Sequence, residues 1–140
     1  MRKLLVPVDG SAVANRAVAH AVELAHGLGD TKLVLVNVQQ TLERRYAHGL
    51  LNKEALTHLQ RAGEGEAAEA RALLDHAGLL YDFEVVFGQP AEVIARIAKE
   101  QGCSGIVMGT RGLGELQNVL LGSTAYKLVQ IAEVPVTLVR

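Results

Sequence analysis

The stretch Met108-Gly-Thr-Arg-Gly-Leu-Gly-Glu-Leu-Gln-Asn-Val-Leu-Leu-Gly-Ser-Thr124 decides the fold. Gly109, Gly112 and Gly122 stand in a Gly-x2-Gly-x9-Gly-Ser spacing, with Arg111 as the one cation. The apolar run Gly105 to Met108 precedes the stretch and a helical pattern follows Gly122. Glycine lets a backbone approach a ligand closely and adopt positive φ. A helix start offers unpaired N–H groups to an anion. A glycine loop between a buried strand and a helix therefore predicts phosphate binding in an α/β fold. It is not the lysine-bearing kind, because no Gly-x4-Gly-Lys-Ser/Thr run occurs.

Outward from this loop, strands and helices alternate. Upstream, Ala91 to Gln101 reads as a helix with Ile94, Ile97 and Ala98 inward, opened by Pro90 and closed by Gly102. Tyr81 to Phe87 reads as a strand. Lys53 to His76 reads as a long helix with Leu56, Leu59, Gly63, Ala67, Ala70, Leu73 and Ala77 on its apolar face. Gly63 and Gly65 are unfavourable inside a helix and mark a bend or a close contact. Gln39 to Asn52, with mixed charge, reads as a mobile connection. Lys32 to Val38 and Lys3 to Val8 are nearly continuous apolar runs, which suit strands buried on both faces. Between them Ala12 to His26 reads as a helix with Val13, Ala17, Ala21, Leu24 and Leu28 on one face, ended by Gly27 and Gly29. Downstream, Ser123 to Glu133 reads as a helix with Leu128, Val129 and Ala132 inward, and Val134 to Val139 as a final strand.

This alternation predicts a single-domain α/β fold over 1–140. The expectation is an open five-stranded parallel sheet of order 3-2-1-4-5, helices on both faces, Rossmann-like. Ligands of such sheets bind beyond the carboxyl ends of the strands, where the strand order reverses. Here the reversal falls between strands one and four. Asp9 follows strand one and Gly109 follows strand four, so both flank one crevice. The loop amides, Ser123 and Thr124 suit an anion. Asp9 would repel phosphate and suits a sugar hydroxyl or a base amino group; Asp9 or Ser11 can also cap the first helix. Backbone near Val38 can reach the far side of the ligand. Together these parts describe a nucleotide.

Composition narrows the alternatives. The 140 residues carry 14 basic and 15 acidic side chains, a net charge of −1, which argues against a nucleic-acid binder. No apolar run reaches the ~20 residues that span a bilayer. The N-terminal apolar run meets Asp9 too soon for a signal peptide, so the protein is expected in the cytoplasm. Cys103 is alone and reads as a small apolar residue. His20, His26, His48, His58 and His76 show no metal-ligand spacing and read as solvent-exposed. No Ser/His/Asp set meets at the strand ends, so no catalytic residue is assigned. A phosphoacceptor receiver would need an Asp after strand three, where Phe87-Gly88-Gln89 stands instead.

At these residues the chain resembles the universal stress protein family. The resemblance covers the whole chain: Leu-Leu-Val-Pro-Val-Asp-Gly-Ser at 4–11, Val-Asn-Val at 36–38, Gly-Gln-Pro at 88–90, Ile-Val-Met-Gly-Thr-Arg-Gly-Leu-Gly at 106–114, Leu-Leu-Gly-Ser-Thr at 120–124 and Val-Pro-Val-Thr-Leu-Val at 134–139. The glycine spacing is that of the ATP-binding branch. The resemblance implies an ATP-binding regulatory module of the stress response, with a regulatory protein partner. A slow ATPase is the alternative, with Mg²⁺ accompanying the nucleotide. By position, Pro7, Val8, Asp9 and Val38 would hold the nucleoside. Met108, Gly109, Arg111, Gly112, Gly122, Ser123 and Thr124 would hold ribose and phosphates. A homodimer would pair through Val136, Thr137, Leu138 and Val139, covering an edge that otherwise invites aggregation. Asn37 stands where the family commonly has histidine, and Thr124 where it has an apolar β-branched residue. Glu115, Gln117 and Asn118 replace frequent basic residues, which favours ADP or AMP more than is usual.

Overall fold

Leu4, Leu5 and Val6 are buried at the centre of strand β1 (Arg2–Pro7), which has a neighbour on either side. The computed structural model describes residues 1–40, 52–113, 118 and 120–140. Along the chain follow α1 (Ala12–Leu28), β2 (Thr31–Gln39), α2 (Lys53–Ala77), β3 (Tyr81–Phe87), α3 (Pro90–Glu100), β4 (Gly105–Gly109), α4 (Ser123–Ile131) and β5 (Val136–Val139). All strand pairs are parallel, in the order β3-β2-β1-β4-β5. The predicted α/β fold and strand order are thus observed, and the reversal lies between β1 and β4. Pro7 is the last residue of β1, where the missing N–H interrupts little.

Strand periodicity divides the core in two. Leu4, Val6 and Val8 face α1 and α2, against Ala17, Ala21, Ala67, Ala70 and Leu74. Leu5, Val34 and Val36 face α3 and α4, against Ile94, Ile97 and Leu128. Burying each such leucine, isoleucine or valine is worth about 1.5–3 kcal/mol. Cys103 belongs to the second core, and its burial raises the thiol pKa.

Helix ends, contact lines and the start of the last strand differ from the sequence expectation. Helix α1 continues through Gly27 to Leu28, and Gly29, with φ +65°, is its C-cap. Its buried stripe is Val13, Ala14, Ala17, Val18, Ala21 and Ala25, while Leu28 is exposed. In α2 the stripe ends on Leu74 and leaves Leu73 exposed. In α1 alanines let the helix lie close to its neighbours, so the most apolar side chains do not mark the contact line; in α2 the line Gly63, Ala67, Ala70 and Leu74 keeps the helical spacing of three and four residues that Leu73 misses by one. Helix α4 stops at Ile131 with Val129 exposed, and β5 begins only at Val136. Pro135 has no N–H to pair, but its carbonyl accepts from Ile106 N at 2.9 Å.

Gly63 is a close contact and not a bend. A Cβ there would lie 2.6 Å from Val85 Cγ1 and 2.7 Å from Asn37 Oδ1. Gly65 faces open space. Of the connection expected over Gln39 to Asn52, residues 41–51 lie outside the described residues. Asn52 itself caps α2, its Oδ1 accepting from Ala55 N at 2.8 Å.

Candidate functional site

The end of β1 is tied to the glycine loop by one carboxylate. Val8 N donates to Val36 O at 2.9 Å and carries the strand pairing one residue further. Gly10, with φ +87°, then turns the chain into α1. Ser11 is the N-cap of α1, its Oγ accepting from Ala14 N at 3.1 Å. Asp9 does not cap the helix. Its Oδ1 accepts from Ser11 N at 2.9 Å, and its Oδ2 accepts from Leu113 N at 3.0 Å. Gly112 makes the second bond sterically permissible, because a Cβ there would collide with Asp9 Oδ2.

On the other side of the reversal, β4 ends at Gly109. A Cβ at Gly109 would stand 2.6 Å from Val13 Cγ1, so β4 and α1 approach too closely for any side chain. Thr110 N donates to Val139 O at 2.8 Å, and Gly122 N donates to Thr110 O at 2.6 Å. The second bond closes the loop at its stem and sets Ser123 at the start of α4. Gly122 is the N-cap; among the described residues no side chain caps this helix, and its first turn holds no acidic residue. The positive end of the α4 dipole is therefore not neutralised from within the helix.

These elements enclose a cavity of about 450 Å³ along the carboxyl edge of the sheet. The structure brings every predicted site residue to its wall. Pro7, Val8 and Asp9 come from the β1 end and Val38 from the β2 end. Met108, Gly109, Arg111 and Gly112 come from β4 and the loop. Gly122, Ser123 and Thr124 come from the start of α4. Of the loop positions read as weakly basic, Asn118 is exposed, while Glu115 and Gln117 lie outside the described residues.

The wall also includes residues that the sequence reading missed: Gln39, Gln40, Glu66, Ile94 and Leu113. Ile94 and Leu113 add apolar surface. Gln39 and Glu66 belong to a hydrogen-bonded chain. Asn37 Nδ2 donates to Val8 O at 3.0 Å, Gln39 Nε2 donates to Asn37 Oδ1 at 2.8 Å, and Gln39 Nε2 also donates to Glu66 Oε2. Asn37, where histidine was the family expectation, is only 1% exposed. Glu66 carries no local signal, since it sits on a helix far from any motif. The Asn37-x-Gln39 alternation at the end of an apolar strand was the one clue available.

Lys127 on α4 pairs with Glu92 on α3. The bond from Lys127 holds the Glu92 carboxyl below the usual glutamate range, with its own backbone amide assisting. Among the described residues, no cluster of three or more His, Cys, Asp or Glu side chains is placed to hold a metal. His26, His58 and His76 are exposed and His20 is half-buried; His48 lies outside the described residues. No helix among the described residues is long and apolar enough to cross a membrane.

The model of the universal stress protein family matches residues 1–140. The chain belongs to that family. A universal stress protein of Thermus aquaticus is 36% identical over 141 residues, covering 99% of this chain and 98% of the relative. The solved structure of protein MJ0577 of Methanocaldococcus jannaschii superposes with a TM-score of 0.85 at 27% identity, covering 99% of this chain and 94% of that one. The universal stress protein of Archaeoglobus fulgidus in complex with dAMP shares the fold, with a TM-score of 0.71 at 20% identity and coverage of 100% and 98%.

Proposed function

We propose that this universal stress protein binds an adenine nucleotide in the cavity at the β1/β4 reversal and acts as a nucleotide-dependent regulatory module of the cytoplasmic stress response. The observation that carries the reading is the start of α4. An uncapped helix with no acidic residue in its first turn faces a 450 Å³ cavity whose other walls are a glycine loop and two strand ends. Such a helix start favours an anion through both its free amides and its dipole. Complexes of family structures with cAMP, dAMP and AMP support an adenine nucleotide as the occupant.

In this reading the phosphates lie along Gly109, Gly112, Gly122, Ser123 and Thr124, with Arg111 from the loop. Pro7, Val8 and Val38 contact the nucleoside. Asp9 has a dual part, since its carboxylate already holds the loop through Leu113 N. ATP is the expected ligand, with ADP and AMP as competitors. The chain forms a homodimer through β5, which is an edge strand of the sheet among the described residues, with Val136 to Val139 paired on one side only.

Equilibrium titration of ATP, ADP and AMP into the purified protein tests the site, and light scattering tests the dimer. Micromolar to submillimolar binding is expected. Absence of binding at millimolar nucleotide would refute the proposal.

A further inference from the structure

A second cavity, of about 250 Å³, opens at the other end of the sheet, between the C-terminal ends of α3 and α4. Its innermost residues, Cys103 and Ile106, belong to the buried core. Ala95 and Ala98 of α3 and Ala132 and Val134 beyond α4 make the walls. The volume exceeds the roughly 150 Å³ that holds benzene in an apolar cavity and falls below the roughly 300 Å³ at which drug-sized pockets begin, so it suits a hydrocarbon group of about five to eight non-hydrogen atoms. The rim carries charge. Lys99 Nζ and Glu133 Oε2 stand 3.2 Å apart there, both side chains mostly exposed. Helix dipoles decide which sign the rim prefers. α3 ends at Glu100 and α4 at Ile131, so two negative helix ends meet at this cavity. The last turn of α3 holds Lys99, whereas the last turn of α4 holds no basic residue and is followed by Glu133. Among the described residues that line the cavity, Lys99 is the one cation. Lys3 acts on the Cys103 thiol from nearby but does not line the cavity.

We propose that this cavity binds a small organic cation, a primary ammonium group on a short branched hydrocarbon tail. The tail fills the apolar interior, and the ammonium takes the place beside Glu133 that Lys99 Nζ holds. Lys99 thus marks the position of the head group. The exchange costs little, because an exposed ion pair contributes little to stability and the released lysine is solvated on its flexible stem. A carboxylate head group would have to pair with Lys99 while lying against two negative helix ends and Glu133, and a neutral one would gain nothing from them. The cavity lies at the end of the sheet opposite the nucleotide site, and the proposal is independent of the nucleotide reading.

Cys103 is the chain's one cysteine, so its modification reports on this cavity alone. Isoamylamine, isocaproate and isoamyl alcohol share one tail and differ in head group. Each is titrated into the full chain by NMR. In parallel, modification of Cys103 by methyl methanethiosulfonate is followed by mass spectrometry, in mildly alkaline buffer because burial raises the thiol pKa. The amine is expected to bind more tightly than the other two and to slow the modification. Lys99→Met, which removes the competing cation, is expected to strengthen amine binding about two- to fivefold, and Glu133→Gln to weaken it by a similar factor. Ala132→Leu, which fills the cavity from its wall, is expected to abolish binding; Ala95→Leu fills the same space from α3 should the first variant fail to fold. Thermal melting establishes that each variant is folded. Equal binding of the three probes, weaker amine binding by Lys99→Met, or an unchanged rate of Cys103 modification in saturating amine would overturn the proposal. Amine binding that survives in the folded cavity-filled variant would overturn it too. No nucleotide enters the assay, so its failure leaves the nucleotide reading standing.

Discussion

Replacing Gly63 by alanine is expected to destabilise the protein, while the same change two residues on, at Gly65, is expected to stabilise it. In an isolated helix both substitutions would gain about 1 kcal/mol from helix propensity. Gly65 is exposed with nothing within 4 Å of its missing Cβ, so the gain is expressed in full. At Gly63 the new methyl would meet Val85 Cγ1 at 2.6 Å, Asn37 Oδ1 at 2.7 Å and Val85 Cγ2 at 2.8 Å. Comfortable contacts between carbons lie near ~3.5–4.0 Å, so the overlap is about an ångström. Val85 is β-branched and stiff at χ1. Asn37 is buried and held by bonds to Val8 and Gln39. Neither neighbour yields cheaply. Overpacking costs about 1–3 kcal/mol, and disturbing a hydrogen bond at Asn37 about 1 kcal/mol more. After the propensity gain, a net loss of about 1–3 kcal/mol remains for Gly63→Ala. Urea denaturation monitored by circular dichroism would read opposite shifts in midpoint, with about 3–5 °C in Tm for each kcal/mol at this size. A Gly63→Ala variant as stable as the native protein would refute the reasoning.

Gly112→Ala is expected to separate Asp9 Oδ2 from Leu113 N and displace the loop, lowering nucleotide affinity about tenfold from the loss of one charge-assisted bond. Calorimetry would show this, with the melting temperature nearly unchanged because the loop is at the surface; unaltered affinity would exclude a positioning role for the bond. Glu92 has a lowered folded-state pKa, so its pair with Lys127 stabilises the fold fully above the ordinary glutamate value and loses that effect as pH falls through the lowered value. The stability difference between the native protein and Glu92→Gln, measured against pH, is expected to be small, to be constant at neutral pH and to vanish in acid; a difference growing toward acid would show the opposite sign.

The sheet was legible because its strands are short apolar runs separated by helical patterns and turn residues. Leu4 to Val6, Leu33 to Val36 and Ile106 to Met108 can hardly be anything but buried strands. Once the order follows, Asp9 and Gly109 must face each other, so half of the cavity wall is a consequence of topology. What sequence did not reveal depends on close approach. Ala25, not Leu28, carries the contact line of α1, because an alanine-rich helix settles by shape and not by apolarity, and in α2 the adjacent leucines differ only in helical phase, which puts Leu74 and not Leu73 on the line. The start of β5 moved to Val136 because Pro135 supplies only a carbonyl to the ladder. Glu66 reaches the cavity from a helix placed by Gly63, an interaction that becomes visible only when α2 lies on the sheet. For Asp9 the sequence predicts a nucleoside contact or a cap, and no local pattern points to the Leu113 amide.

The bond between Asp9 and Leu113 joins residues separated by 104 positions. It needs β4 docked beside β1, a non-local pairing of the kind that slows folding of a parallel sheet. The cavity is therefore a property of the finished fold and of no fragment of it. A ligand seated across the β1 end and the loop is a reversible cross-link closing the same long loop, and it binds the native chain alone. By mass action its concentration adds directly to native stability. On the proposed nucleotide-binding reading, ligand abundance would in this way be converted into the persistence of the folded chain against unfolding and proteolysis.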